Sequence, residues 1–126
     1  MEENLKVMLV DDEEIVCKRL KTALEKYGYM VDVFQSGKPA IERLKEKQYD
    51  IVVTDIRMDD VDGLDVLKAA REGSTRTKII MITGYATAEV AREAQAKGAF
   101  GFIAKPFRPK DLHALLEKAA RELEKA

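Results

Sequence analysis

Ile51-Val52-Val53-Thr54-Asp55 is an apolar run that ends on a carboxylate, and it reads as a buried strand emerging into solvent. Three further stretches share the pattern. Val7-Met8-Leu9-Val10 closes on Asp11 and Asp12, Ile79-Ile80-Met81-Ile82 on Thr83, and Phe100-Gly101-Phe102-Ile103-Ala104 on Lys105. Successive side chains of a strand point to opposite faces, so continuous apolar runs suit parallel strands covered by helices on both sides. Ligands of such sheets bind in the crevice beyond the carboxyl ends of the strands. Four strand ends thus bring three carboxylates, one hydroxyl and one ammonium to one edge. Three crowded carboxylates repel one another unless a hard divalent cation neutralises them, which implies magnesium and a site for phosphoryl chemistry.

Outward from these runs, strand and helix patterns alternate. Strands are predicted over 6–10, 30–34, 51–54, 78–83 and 101–104, and helices over 14–27, 38–47, 64–72, 88–97 and 109–124. Ser36 is placed to cap the second helix, with Pro39 in its first turn, where a missing amide proton matters little. Asp12 is placed to cap the first. Gly28 and Gly98 follow helical patterns, where a left-handed residue often ends the helix. Pro109 suits the first turn of the last helix, although Arg108 is a poor cap. Five βα units in succession imply an α/β doubly wound, five-stranded parallel sheet with right-handed crossovers.

The bulk properties narrow the function classes. The 126 residues fit a single domain spanning 1–126. Lys and Arg number 22 and Asp and Glu 23, giving a net charge of -1, so no general attraction to nucleic acid or anionic membrane is expected. No apolar stretch is long enough to span a bilayer, and Met1-Glu2-Glu3-Asn4 is not a signal peptide. The single cysteine, Cys17, excludes an internal disulfide and fits a reducing, cytoplasmic compartment.

Four segments, each at the end of its own strand, carry a family resemblance: Leu9-Val10-Asp11-Asp12-Glu13, Val53-Thr54-Asp55-Ile56-Arg57-Met58 with Asp62-Gly63, Met81-Ile82-Thr83-Gly84, and Ala104-Lys105-Pro106-Phe107. Over essentially its whole length the chain resembles the receiver domain of two-component response regulators. The resemblance implies a flavodoxin-like (βα)5 fold with strand order 2-1-3-4-5, and phosphoryl transfer from a sensor histidine kinase to Asp55. It further implies that Asp12, Asp55 and the backbone carbonyl of Arg57 bind Mg2+, with Asp11 acting mainly through water. Thr83 would hydrogen-bond one phosphoryl oxygen and Lys105 pair with another. Phe102 falls on the switch aromatic, which moves inward when Thr83 is drawn to the phosphate. Packing in the core is the other reading of Phe102, and Tyr85 is the alternative side chain to move. Lys105–Pro106 is expected to be cis, since a sharp turn aims the ammonium into the site and only an X-Pro bond adopts that isomer readily.

The chemistry of these roles stands on its own. A carboxylate oxygen is a weak nucleophile, yet it attacks a phosphoryl group held in line by a metal and an ammonium. Charge spread over three phosphoryl oxygens calls for both cations. One departure from the family pattern is visible: the position after Met58, usually proline, is Asp59, followed by Asp60, which leaves that loop more mobile and more acidic. The resemblance also implies that Arg57 and Tyr85 stand at positions that tune attack by water on the aspartyl phosphate.

Other classes fit less well. A small phosphatase of the haloacid-dehalogenase type needs a second Asp two residues beyond its nucleophile, where this chain has Arg57. A degenerate scaffold receiver would not retain all the site residues. A flavodoxin-like cofactor binder needs a phosphate loop after the first strand, and acidic residues stand there. The chain therefore reads as a phosphoacceptor rather than an enzyme acting on a separate substrate. Its partners would be a histidine kinase or phosphotransfer protein and a downstream effector or attached output domain. Cys17 and the only histidine, His113, read as structural: one within the first helix, the other off the stripe Leu112, Leu115, Leu116, Ala119 and Leu123.

Overall fold

A computed structural model describes residues 4–58, 60–84 and 87–125. Asp59 and Tyr85, to which the sequence assigns loop and tuning roles, lie outside the described residues, as does Ala86. The elements run β1 (Lys6–Val10), α1 (Glu14–Lys26), β2 (Met30–Phe34), α2 (Gly37–Glu46), β3 (Ile51–Asp55), α3 (Gly63–Gly73), β4 (Lys78–Thr83), α4 (Ala88–Ala96), β5 (Gly101–Ala104) and α5 (Pro109–Lys125). All strands pair in parallel, in the order β2-β1-β3-β4-β5.

The apolar runs are continuous because the sheet separates two cores. Val7, Leu9, Val53, Ile80 and Ile82 face one way and pack with Leu20, Leu24, Leu112 and Leu116 of α1 and α5. Their immediate neighbours Met8, Val10, Val52, Ile79 and Met81 face the other way, onto Leu44, Val66, Leu67 and Ala94 of α2, α3 and α4. Every strand residue from Val7 to Val10, from Ile51 to Asp55 and from Ile79 to Thr83 is buried.

Helix ends follow local chemistry, and several differ from the sequence reading. Ser36 precedes α2, but its side chain makes no capping bond. A Ser at this position bonds the amide of the second or third helical residue. The third is Pro39, which has none, and the second, Lys38, donates to Asp60 Oδ2 instead (2.8 Å), while Gly37 donates to Asp60 Oδ1 (3.0 Å). The residue before α1 is Glu13 rather than Asp12, and its amide donates to Asp11 Oδ1 at 2.9 Å. The poor cap at Arg108 is offset because the Arg108 amide donates to Asp111 Oδ2 at 3.0 Å, a carboxylate three residues into the helix reaching back. Gly28 and Gly98 adopt φ of 100° and 104°, as a glycine closing a helix does. Helix bounds differ from those predicted by one residue: α1 and α4 stop one residue sooner, α2 starts and stops one sooner, α3 is one longer at each end and α5 one longer at its C-terminus.

Candidate functional site

The strand order places β1 and β3 side by side, with β4 next, so the residues ending these strands share one edge. The chain passes from β1 out to β2 on one side and returns to β3 on the other; this reversal opens the crevice in which doubly wound sheets bind ligands. β3 carries one residue more than predicted: Asp55 is its last residue, paired in register with Ile82 of β4, and only 5% exposed. Asp11 follows Val10 directly and is fully buried, Asp12 is exposed, and Thr83 ends β4 fully buried. Carboxylate oxygens of Asp11, Asp12 and Asp55 lie within 4.8 Å of one another.

Lys105 reaches this cluster from beyond β5, over a cis Lys105–Pro106 bond. Its Nζ lies 2.9 Å from Asp55 Oδ2, 2.9 Å from Asp11 Oδ2 and 2.7 Å from Glu13 Oε1. Burial works against the charged ammonium, but the carboxylates of Asp11, Glu13 and Asp55 overcome it and hold its pKa well above that of a free lysine. Asp55 Oδ1 accepts from the amide of Arg57 at 3.3 Å. Both oxygens of Asp55 are thereby aimed, and the Arg57 residue beside it is exposed.

Asp11 is the strained member. Its Oδ1 accepts the Glu13 amide, whereas Oδ2 is buried and, despite the nearby ammonium, makes no hydrogen bond of normal geometry. Burial raises its pKa above the usual 3.8, against the lowering pull of Lys105. A folded-state pKa above the unfolded value means that the native chain holds this proton more tightly. The ionised Asp11 therefore costs stability at neutral pH, a cost absent below about 3.8, where the group is protonated in either state. A buried carboxylate oxygen that faces only a lysine ammonium, beside two more carboxylates, is a donor set that fits a hard divalent cation. Asp11→Asn keeps the acceptor for Glu13 and removes the charge. In chelator it is expected to stabilise the fold by about 1 kcal/mol in urea unfolding; a loss of stability would show that Lys105 fully compensates the charge.

Other candidates take the places their surroundings dictate. Phe102 is half-buried against the core formed with α2, α3 and α4. Gly84 is exposed, and Thr87 caps α4 by accepting the Val90 amide at 3.1 Å, a role the sequence reading did not assign. Cys17 is buried and donates to the Asp11 carbonyl, and burial, with the Asp11 charge, pushes its thiol up to about 11, so it is inert. His113 stacks on Tyr27 with ring centres 3.5 Å apart, away from the site. Two contributors went unassigned in the sequence. Glu13 pairs with Lys105, its only signal being its place after the acidic pair, and Gly63 packs its α-carbon against the backbone of Asp55.

A parallel five-stranded sheet with an acidic triad and a lysine at its carboxyl edge is a receiver architecture, and the comparisons with known proteins agree. The response regulator receiver domain model matches residues 7–117. The regulatory protein AtoC of Escherichia coli K12 is 36% identical over 90% of the chain, and the chain spans 25% of AtoC. The response regulator receiver protein CpdR of Brucella abortus is 34% identical, with 90% of this chain and 94% of CpdR covered. A CheY-like receiver domain protein from Methanospirillum hungatei JF-1 superposes with a TM-score of 0.93 at 28% identity, covering 98% of each chain. The chain belongs to the response regulator receiver domain family and works as a receiver in two-component signalling.

Proposed function

We propose that Asp55 accepts a phosphoryl group from a sensor histidine kinase or phosphotransfer protein, and that the loaded chain changes conformation to control an output. The observation that carries this is the position of Asp55: nearly buried at the end of β3, between the Lys105 ammonium and the Asp11–Asp12 pair. Asp55 Oδ attacks phosphorus, the bond from phosphorus to the donor breaks, and the donor leaves with that electron pair. A bound Mg2+, held by Asp12, Asp55 and the Arg57 carbonyl and by Asp11 through water, would supply positive charge to the phosphoryl oxygens. Lys105 leaves Asp55 for a phosphoryl oxygen while remaining beside Glu13 and Asp11. Thr83 donates its hydroxyl to another, and the space it vacates admits more of Phe102. The chain is then a phosphoacceptor that promotes its own phosphorylation and dephosphorylation.

The output is an effector protein or an attached domain. The first curated relatives, AtoC and ZraR, are about four times as long as the matched region, which spans 25% and 26% of them. Residues 1–126 form one receiver domain in this reading, and its near-balanced charge suits neither nucleic acid nor membrane. No helix among the described residues is long and apolar enough to cross a membrane, and a cytoplasmic location goes with the kinase partnership. The test is incubation with acetyl phosphate and Mg2+, followed by mapping of the acyl phosphate. One phosphoryl group on Asp55, absent in chelator, is expected; a label on any other residue, or undiminished labelling in chelator, overturns the proposal.

A further inference from the structure

The loop from β3 to α3 is clamped twice. Its two ends are joined where the Gly63 amide donates to the Ile56 carbonyl at 2.7 Å. Between them, the Asp60 carboxylate straddles the first two amides of α2, Gly37 and Lys38, at 3.0 and 2.8 Å. These bonds hold the Asp60 carboxyl below the usual aspartate range although it is exposed, the Lys38 amide first and that of Gly37 next. Val61 and Met58 add apolar contact at the same spot: a β-carbon on Gly37 would lie 2.1 Å from Val61 Cγ2 and 3.5 Å from Met58 Cε. Between the clamps lies Arg57, whose carbonyl the proposed function assigns to the divalent ion. The two amides of α2 are the leading partners of the Asp60 carboxylate, ahead of the backbone of Val61 and of Asp60 itself.

We infer that Asp60 is a positioning residue of the phosphoryl site: its bond to the α2 N-terminus fixes the β3–α3 loop and so presents the Arg57 carbonyl to a divalent cation. The inference rests on the metal reading of the site. Supports of metal ligands that do not themselves touch the ion are worth as much as tenfold to a hundredfold in affinity. Asp60 also caps α2, so a test must separate the cap from the tether. Ser36 has the extended backbone of a capping residue, so Ser36→Asp can take the Lys38 amide and return the lost charge without touching the loop.

The Mg2+ affinity of the unphosphorylated chain, measured by calorimetric titration, decides the matter. Asp60→Ala is expected to weaken it about tenfold, at the lower end of that range. Gly37→Ala, which leaves every charge in place and presses the loop away through Val61, should weaken it too. The double variant Asp60→Ala/Ser36→Asp should stay weak. Affinity indistinguishable from wild type in either single variant, or restored in the double variant, would reduce Asp60 to a helix cap or a local charge and overturn the inference. Absence of Mg2+ binding in the wild-type chain would instead overturn the metal reading, and this inference with it.

Discussion

Gly63→Ala is expected to lower folding stability by about 3 kcal/mol, the upper part of the range for forced overpacking. The added Cβ would lie 2.0 Å from the Asp55 carbonyl oxygen and 2.8 Å from both the Asp55 carbonyl carbon and Ile56 Cα. All three are backbone atoms, so no side chain can swing aside. Nor can the strand yield easily: Ile56 donates to the Ile82 carbonyl at 3.0 Å, and Asp55 stands in register with Ile82 in the sheet. Relief requires α3 to lift or the end of β3 to shift, and either displaces the residue that takes the phosphoryl group. A misplacement of about 1 Å costs on the order of a hundredfold in rate. Urea unfolding measures the first effect and the labelling rate with acetyl phosphate the second. A variant within about 0.5 kcal/mol of wild type, as an ordinary surface change would be, would show that α3 shifts freely.

Lys105→Ala is expected to slow labelling of Asp55 by about a hundred- to a thousandfold, the loss seen when one donor to a developing oxyanion is removed. The same change should destabilise the metal-free fold by about 3 kcal/mol, because it strands buried carboxylates without their counter-charge. Lys105 is the shared cation of Asp11, Glu13 and Asp55, the first wholly buried and the last nearly so. Without it, the already raised Asp11 rises further. The variant should therefore gain stability relative to wild type as pH falls and Asp11 takes up its proton. Labelling at the wild-type rate would remove Lys105 from the chemistry, and a pH-independent stability difference would remove it from the charge balance.

The strands and the candidate site were legible in the sequence for the same reason. A strand buried on both faces must be apolar throughout, so it stops visibly where it meets solvent, and here it stops on Asp11, Asp55, Thr83 and Lys105. What the sequence hid are contacts between residues far apart along the chain. Nothing local marks Asp60 as the partner of Gly37 and Lys38, and Ser36 stood as the cap by every rule of neighbours. Gly63 carries no positive φ that a turn signal would betray; only the approach of α3 to Asp55 explains it. Glu13 faces Lys105 across 92 positions of sequence.

The sheet that positions the site is also a partition. Met81 and Ile82 are covalent neighbours, yet their side chains enter separate cores, while Ile82 and Leu112, thirty positions apart, belong to the same one. Energetic coupling follows shared packing partners rather than proximity along the chain. Truncations at Met81 and Ile82 should thus combine almost additively, whereas Ile82 and Leu112 should not. The layer of α1 and α5 and the layer of α2, α3 and α4 can accordingly accumulate substitutions as two independent ledgers, each free to be rewritten while the strand ends, and the chemistry they hold, stay fixed.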